Sequence, residues 1–114
     1  MPPEEMFVSA VRSSGDMAGV FEYVDETGSF YLYDKTRTGG QRVMAAIHIL
    51  SGNPDFSESD VEVRCTQREE VVGLFIRDRL WAVFSGREAH GGKYRIGGRP
   101  EIPDLVASAF GKEP

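Results

Sequence analysis

Two histidines, one cysteine and a Gly-Gly-Lys tract are the residues of this 114-residue chain whose types invite chemistry. His48 lies in the apolar run Val43–Leu50, on the face of Met44, Ala46 and Leu50. A general base needs a carboxylate or nucleophile beside it, and the neighbouring sequence supplies neither. A partly buried histidine held by a hydrogen bond is the plainer reading. His90 stands in a glycine-rich stretch, and two isolated histidines with one cysteine give no metal-ligand spacing. No metal and no cofactor are therefore expected. Cys65 alternates onto one face with Val61 and Val63, which suits an inert thiol better than a nucleophile in an electropositive setting. In Gly91-Gly92-Lys93-Tyr94 a tyrosine stands where a phosphate loop needs Ser or Thr for its metal. A flexible loop is the plainer reading, although Arg87, Lys93, Arg95 and Arg99 could present cations to an anionic ligand.

Carboxylates cluster at Glu22, Asp25 and Glu26, and again at Glu58, Asp60 and Glu62. Paired carboxylates do acid–base work when a site separates their acidities. These fall at loops and wet faces, so a solvated surface is expected. The hairpin that carries the first cluster is also rich in tyrosine. If Glu26-Thr27-Gly28 is its loop, with Gly28 in a left-handed position, Tyr23 opposes Tyr31 and Phe21 opposes Tyr33. Phe21, Tyr23, Tyr31 and Tyr33 then share one face, and Val20, Val24, Phe30, Leu32 and Glu22 the other. The aromatic face is either core with its hydroxyls at the rim or a recognition surface, since tyrosine gives rigid amphipathic contact area. Stacked aromatics also serve single-stranded nucleic acid, but the acidic residues around this hairpin argue against it.

The element that must position these groups is a second hairpin, Val71–Ser85. Two apolar runs flank Arg77-Asp78-Arg79, both rich in side chains that fit a pleated surface. With Asp78-Arg79 as the loop, Ile76 pairs with Trp81 and Leu74 with Val83. Phe75, Leu80, Ala82 and Phe84 share the opposite face. Neither face is polar, so both should be covered. Further strands are expected at Met6–Arg12, Val43–Leu50 and Val61–Thr66, the second of them central because both its faces are apolar. Tyr94 and Ile96 fit a last short strand. Ile102, Leu105, Val106, Ala109 and Phe110 follow the spacing of one helical face. Pro103 suits its first turn and Gly111 its end, so a short helix over about 103–110 should dock on the sheet. Residues 1–5 read as a frayed end. The expected fold is α+β and mostly β: an antiparallel sheet of hairpins, curved or a sandwich, with six to eight strands and one C-terminal helix. No internal repeat is visible.

The length suits a single domain spanning 1–114. One cysteine cannot form an internal disulfide, which fits a reducing compartment. The acidic N-terminus is unlike a signal peptide, and no run approaches the ~20 apolar residues of a membrane span. A cytoplasmic location away from membranes is expected. The net charge of −5 argues against nucleic-acid binding. The charge is uneven: residues 1–34 carry seven acidic and one basic side chain, and residues 71–99 carry six basic and two acidic. A solvated surface with alternating patches is the plainer reading; the sharper one is an acidic face that would steer a basic partner.

Phe-Glu-Tyr-Val-Asp-Glu-Thr-Gly-Ser-Phe-Tyr at 21–31, Ala-Ala-Ile-His-Ile at 45–49 and Gly-Leu-Phe-Ile-Arg-Asp-Arg-Leu-Trp-Ala-Val-Phe at 73–84 resemble a small bacterial family. That family is catalogued as domain of unknown function 2251, and the resemblance spans roughly residues 18–100. It implies a bacterial source and no assigned activity, so it brings no catalytic residues.

With no catalytic constellation in the sequence, a non-enzymatic protein-binding module is favoured. A toxin-neutralising, immunity-type protein is one concrete version, by analogy of class alone. Its contact residues would be Tyr23, Tyr31, Tyr33, Glu22, Asp25 and Glu26. The alternative is a small-ligand binder or enzyme with a pocket near His48, closed by the basic loop at 86–99. A homodimer through the tyrosine face or a sheet edge is the third possibility.

Overall fold

Eight strands build two four-stranded antiparallel sheets in a computed structural model that describes residues 5–11, 17–36, 43–65, 71–85, 88–94, 102 and 110. The first sheet contains β1 (Met6–Val11), β2 (Met17–Val24), β3 (Thr27–Asp34) and β4 (Val43–Ser51), in that order. The second contains β5 (Val61–Cys65), β6 (Val71–Ile76), β7 (Arg79–Ser85) and β8 (Glu88–Gly91), again in chain order. A 3-10 turn, Glu58–Asp60, leads into β5. The fold is thus mostly β, and the expected open-sheet alternative gives way to a sandwich. The helix expected over about 103–110 falls outside the described residues apart from Phe110, and no such helix is seen among the described ones. Residues 1–4 of the expected frayed end, and Ile96, also lie outside them.

The sheets meet over side chains that alternate inward along each strand. Phe21, Tyr23, Phe30, Leu32 and Ile49 face Val63, Val72, Leu74, Ile76 and Phe84 in one buried cluster. Phe30 of the first sheet stacks on Phe84 of the second, with ring centroids 5.0 Å apart. At Gly19 the sheets approach so closely that a Cβ would lie 2.4 Å from Val72 and 2.9 Å from Val63.

The central pair of strands in each sheet is closed by a two-residue turn of the same kind. Asp25 and Glu26 have φ of 52° and 63°, and Arg77 and Asp78 have φ of 52° and 65°. Two successive left-handed residues match the twist of the flanking strands, the geometry of a type I′ hairpin. Both turns lie earlier than their expected positions, and the corrections matter. Tyr23 pairs with Gly28, Phe21 with Phe30, and Val20 with Tyr31. The expected pairing of Tyr23 with Tyr31 is displaced by three residues, and an odd displacement exchanges the faces of one strand. Phe21 and Tyr23 therefore face the core, while Tyr31 and Tyr33 point to the outer side with Val20 and Glu22. Gly28 is an ordinary strand residue here: a Cβ would lie 2.5 Å from Leu50.

In the second hairpin Ile76 pairs with Arg79 and Leu74 with Ala82, across an irregularity at Leu74/Phe75. The extra residue on β7 keeps Trp81 in the core and exchanges the faces of Ala82, Val83 and Phe84 relative to the expected pattern. All six residues of β6 are buried, so this hairpin is covered on both faces as its sequence requires.

The expected central strand Val43–Leu50 is instead the last strand of its sheet. It is partly covered by the chain leaving β8. The amides of Lys93 and Tyr94 donate to the carbonyls of His48 and Ile49. This crossing links the two sheets along one side. Along the other side β1 runs beside β5, and the Phe7 amide donates to Glu58 at 3.1 Å.

Candidate docking face

Tyr31 and Tyr33 reach the outer surface because β3 alternates Phe30 and Leu32 into the core. Their neighbours on the same side follow from the strand register. Val20 lies opposite Tyr31 and Ala18 opposite Tyr33. Across β2 stand Phe7, Ser9 and Val11 of β1, paired with Glu22, Val20 and Ala18. Val43 pairs with Tyr33 on the far side. These side chains and Lys35 line a shallow groove of about 560 Å³ across the first sheet. Phe7 is 60% exposed, Val43 48% and Val11 46%, the three large apolar side chains most open to solvent among the described residues. All three lie on this one face. Scattered apolar exposure is ordinary on a protein surface, but a contiguous patch marks a site of contact.

The outer face of the second sheet has the same topology behind it and a different fate. Val71, Phe75 and Val83 are buried there, and Phe110 lies edge-on to Phe75. One outer face is closed by the chain itself, and among the described residues none closes the other.

Of the six expected contact residues, the structure brings together Glu22, Tyr31 and Tyr33. Tyr23 is buried at 2% exposure and donates its hydroxyl to the Gly52 carbonyl at 2.9 Å. Burial, and then the Glu26 carboxylate, push its ionisation above the usual tyrosine range. Asp25 and Glu26 are exposed at the tip of the hairpin, at its end rather than on its face. Phe7, Val11, Val20, Lys35 and Val43 were not singled out by the sequence. The alternation of Phe7, Ser9 and Val11 could have found three neighbours of this face once the register of β1 against β2 was known.

The polar clusters mostly hold the fold. Asp60 accepts from the Ser57 amide at 3.0 Å and caps its own turn, whereas Glu58 accepts from Phe7 as above and ties that turn to β1. Glu62 and Arg64 pair at 2.6 Å, with Arg64 also reaching Asp78 and lying over the Phe75 ring at 4.2 Å. Asp55 accepts from the Tyr94 hydroxyl at 2.7 Å and from Arg77 at 3.1 Å. The Tyr94 bond first, and then Arg77, hold the Asp55 carboxyl below its usual range. Burial chiefly, then the Asp55 bond, raises the Tyr94 hydroxyl. Tyr94 is packed edge-on by Phe56 and Trp81. This clasp fixes the loop after β4 to the turn between β6 and β7.

His48 differs from its expected half-buried state: it is exposed, with Nε2 3.1 Å from the Ser51 hydroxyl. His48, Ser51, Lys93 and Tyr94 line a shallow depression of about 250 Å³. The structure thus brings Lys93 to His48, while Arg87, Arg95 and Arg99 lie outside the described residues. A serine–histidine pair becomes a nucleophile when a third group orients the imidazole, and no carboxylate bonds to His48 among the described residues. Cys65 is half-buried against the core rather than fully enclosed. No three His, Cys, Asp or Glu side chains converge on a metal-sized site among the described residues. Likewise, no described helix is long and apolar enough to cross a membrane. No family model, no curated protein and no solved structure matches this chain.

Proposed function

We propose that this protein is a non-enzymatic protein-binding module whose docking surface is the open outer face of the first sheet. The observation that carries this reading is the gathering of Phe7, Val11 and Val43, all strongly exposed, around Val20, Tyr31 and Tyr33 on one side of one sheet. Aromatic side chains set among aliphatic ones supply the desolvated centre of an interface, and Glu22 and Lys35 supply a polar rim. A toxin-neutralising, immunity-type protein is one concrete version of such a module, by analogy of size and charge. The resemblance to the bacterial family of unknown function adds no residue roles to this reading.

The test is affinity capture with three baits: the native chain, Tyr31→Ala with Tyr33→Ala, and Asp25→Ala with Glu26→Ala. The first double variant should lose a stoichiometric protein that the native chain and the turn variant retain, with all three melting cooperatively. Retention by the face variant and loss by the turn variant would move the surface to the hairpin tip and refute the assignment.

The depression at His48 supports a second, weaker reading as a small-ligand site, because Lys93 and Ser51 share it. On the favoured reading His48→Ala leaves protein capture unchanged.

A further inference from the structure

Within the face just proposed as a docking surface, two charges stand apart. Glu22 lies on β2 opposite Phe7 and Ser29, toward one end of the groove. Lys35 follows β3 at the other end, beyond the pairing of Met17 with Asp34. At ~3.4 Å per residue they are separated by roughly 17–20 Å along the strands. Neither has an ion-pair partner among the described residues. Between them the groove is lined by apolar or aromatic side chains, chiefly Val11, Val20, Tyr31, Tyr33 and Val43, with Ser9 the one polar side chain among them.

This arrangement is complementary to itself. A two-fold axis lying in the plane of the face and crossing the strands at the Gly19–Leu32 pair, midway between Tyr31 and Tyr33, reverses position along the strands. It sets each Glu22 opposite the Lys35 of a second copy and lays the two apolar centres on each other. Symmetric pairing of this kind is the commonest route to an oligomer. Among the described residues lining the face there is one anion and one cation, so these two charges set no like charges against each other when two copies meet in this way.

We infer that the partner for this face is a second copy of this chain, in a two-fold dimer held by Tyr31, Val20 and their neighbours and registered by two Glu22–Lys35 pairs. The inference rests on the open face being the docking surface and goes further by naming what covers it.

Sedimentation equilibrium of the full chain over a dilution series tests it, with Glu22→Lys, Lys35→Glu and the double reversal. The native protein should be a reversible dimer. Each single reversal should weaken it by about tenfold or more, since it sets like charges against each other. The double reversal should regain most of the loss, and the single-variant penalties should shrink at high salt. Thermal melts of all four chains, expected to coincide within a few degrees, separate lost pairing from lost folding. A native chain that stays monomeric at the highest concentration overturns the second copy as occupant. If capture still depends on Tyr31 and Tyr33, the docking face survives that result. A dimer indifferent to both reversals overturns the proposed registration.

Discussion

Phe110 stands edge-on to Phe75, with ring centroids 5.1 Å apart and planes at 82°. It lies over Gly73, where an added Cβ would come within 2.7 Å of the Phe110 ring. The missing side chain lets the ring settle against β6, and the outer face of the second sheet is closed by the chain's own residue. Nothing equivalent lies on Tyr31 and Tyr33 among the described residues. Two sheets of the same topology therefore present one covered and one open face, and that asymmetry is the basis of the functional reading.

Removing the cover should make the two faces alike. Phe110→Ala should cost about 2 kcal/mol, less than a fully buried Phe→Ala because this ring is only half-buried. Exposure of Phe75 and Val83 should raise the binding of an apolar fluorescent dye above the native level. Unchanged dye binding would mean that Phe110 does not shield the second sheet.

The two sides of β3 should respond differently to truncation. Phe30 is fully buried and stacked on Phe84, so Phe30→Ala should cost about 3–5 kcal/mol in denaturant melts. Tyr31 is adjacent in sequence but faces outward, and Tyr31→Ala should cost about 1 kcal/mol or less. Equal losses at both positions would contradict the register of β2 against β3.

Two glycines with the same φ should separate strain from collision. Gly52 and Gly91 both have φ of 87°. A Cβ at Gly52 meets nothing within 4 Å, whereas at Gly91 it would lie 2.3 Å from the Trp81 carbonyl oxygen. Gly52→Ala should cost about 1 kcal/mol from the left-handed conformation alone. Gly91→Ala adds a clash with backbone that cannot rotate away, so its cost should exceed that by about 2 kcal/mol or more. Thermal denaturation of the two variants side by side measures the difference.

The Tyr94–Asp55–Arg77 clasp should weaken at both ends of the pH scale. The Asp55 carboxyl is held below its ordinary value in the folded chain, chiefly by the Tyr94 hydroxyl. Its stabilising contribution is therefore present above the ordinary carboxylate value of about 4 and is lost as pH falls through the lower folded value. Tyr94 is shifted upward by burial and by Asp55. Its contribution is present below the ordinary tyrosine value of about 10 and is lost as pH rises through the folded value. Trp81 is the one tryptophan of the chain and stands 4.7 Å from the Tyr94 ring, so its fluorescence reports the clasp locally. Asp55→Asn should flatten the acid limb of that signal and Tyr94→Phe the alkaline limb. Glu62, lowered by its bond to Arg64, and Tyr23, raised by burial, add to global stability curves at the same two ends. That is why a local probe is needed.

The positions of the strands are written in the chain as apolar runs between polar breaks, and the two-sided burial of Val71–Ile76 follows from its composition. The register is not written there. Neither turn contains the Asn-Gly or Asp-Gly pair that normally marks two left-handed residues. Instead Asp25-Glu26 and Arg77-Asp78 adopt that conformation with ordinary side chains. Gly28 attracted the loop assignment although its small size serves the contact with Leu50. Three residues of displacement then placed Tyr23 inside and split the expected tyrosine face. The irregularity beside Trp81 is a tertiary effect: it lets Trp81 and Ala82 both reach the core. The shared topology of the two sheets was equally hidden, because four-stranded meanders with matching turns need not repeat any sequence. Glu22, Tyr31 and Tyr33 were legible as candidate contacts. Phe7, Val11 and Val43 were not, since strands far apart in sequence bring them together.

Hydroxyl-radical footprinting of the native chain, alone at high dilution and then with its captured protein or at dimer-forming concentration, tests the central claim most directly. The account predicts protection of Phe7, Tyr31 and Tyr33 together. Tyr23 should be unreactive in both states, and His48 and Tyr94 unchanged. Protection at His48 and Tyr94 with Phe7, Tyr31 and Tyr33 still fully reactive would contradict it, and would move the functional surface to the far edge of the first sheet.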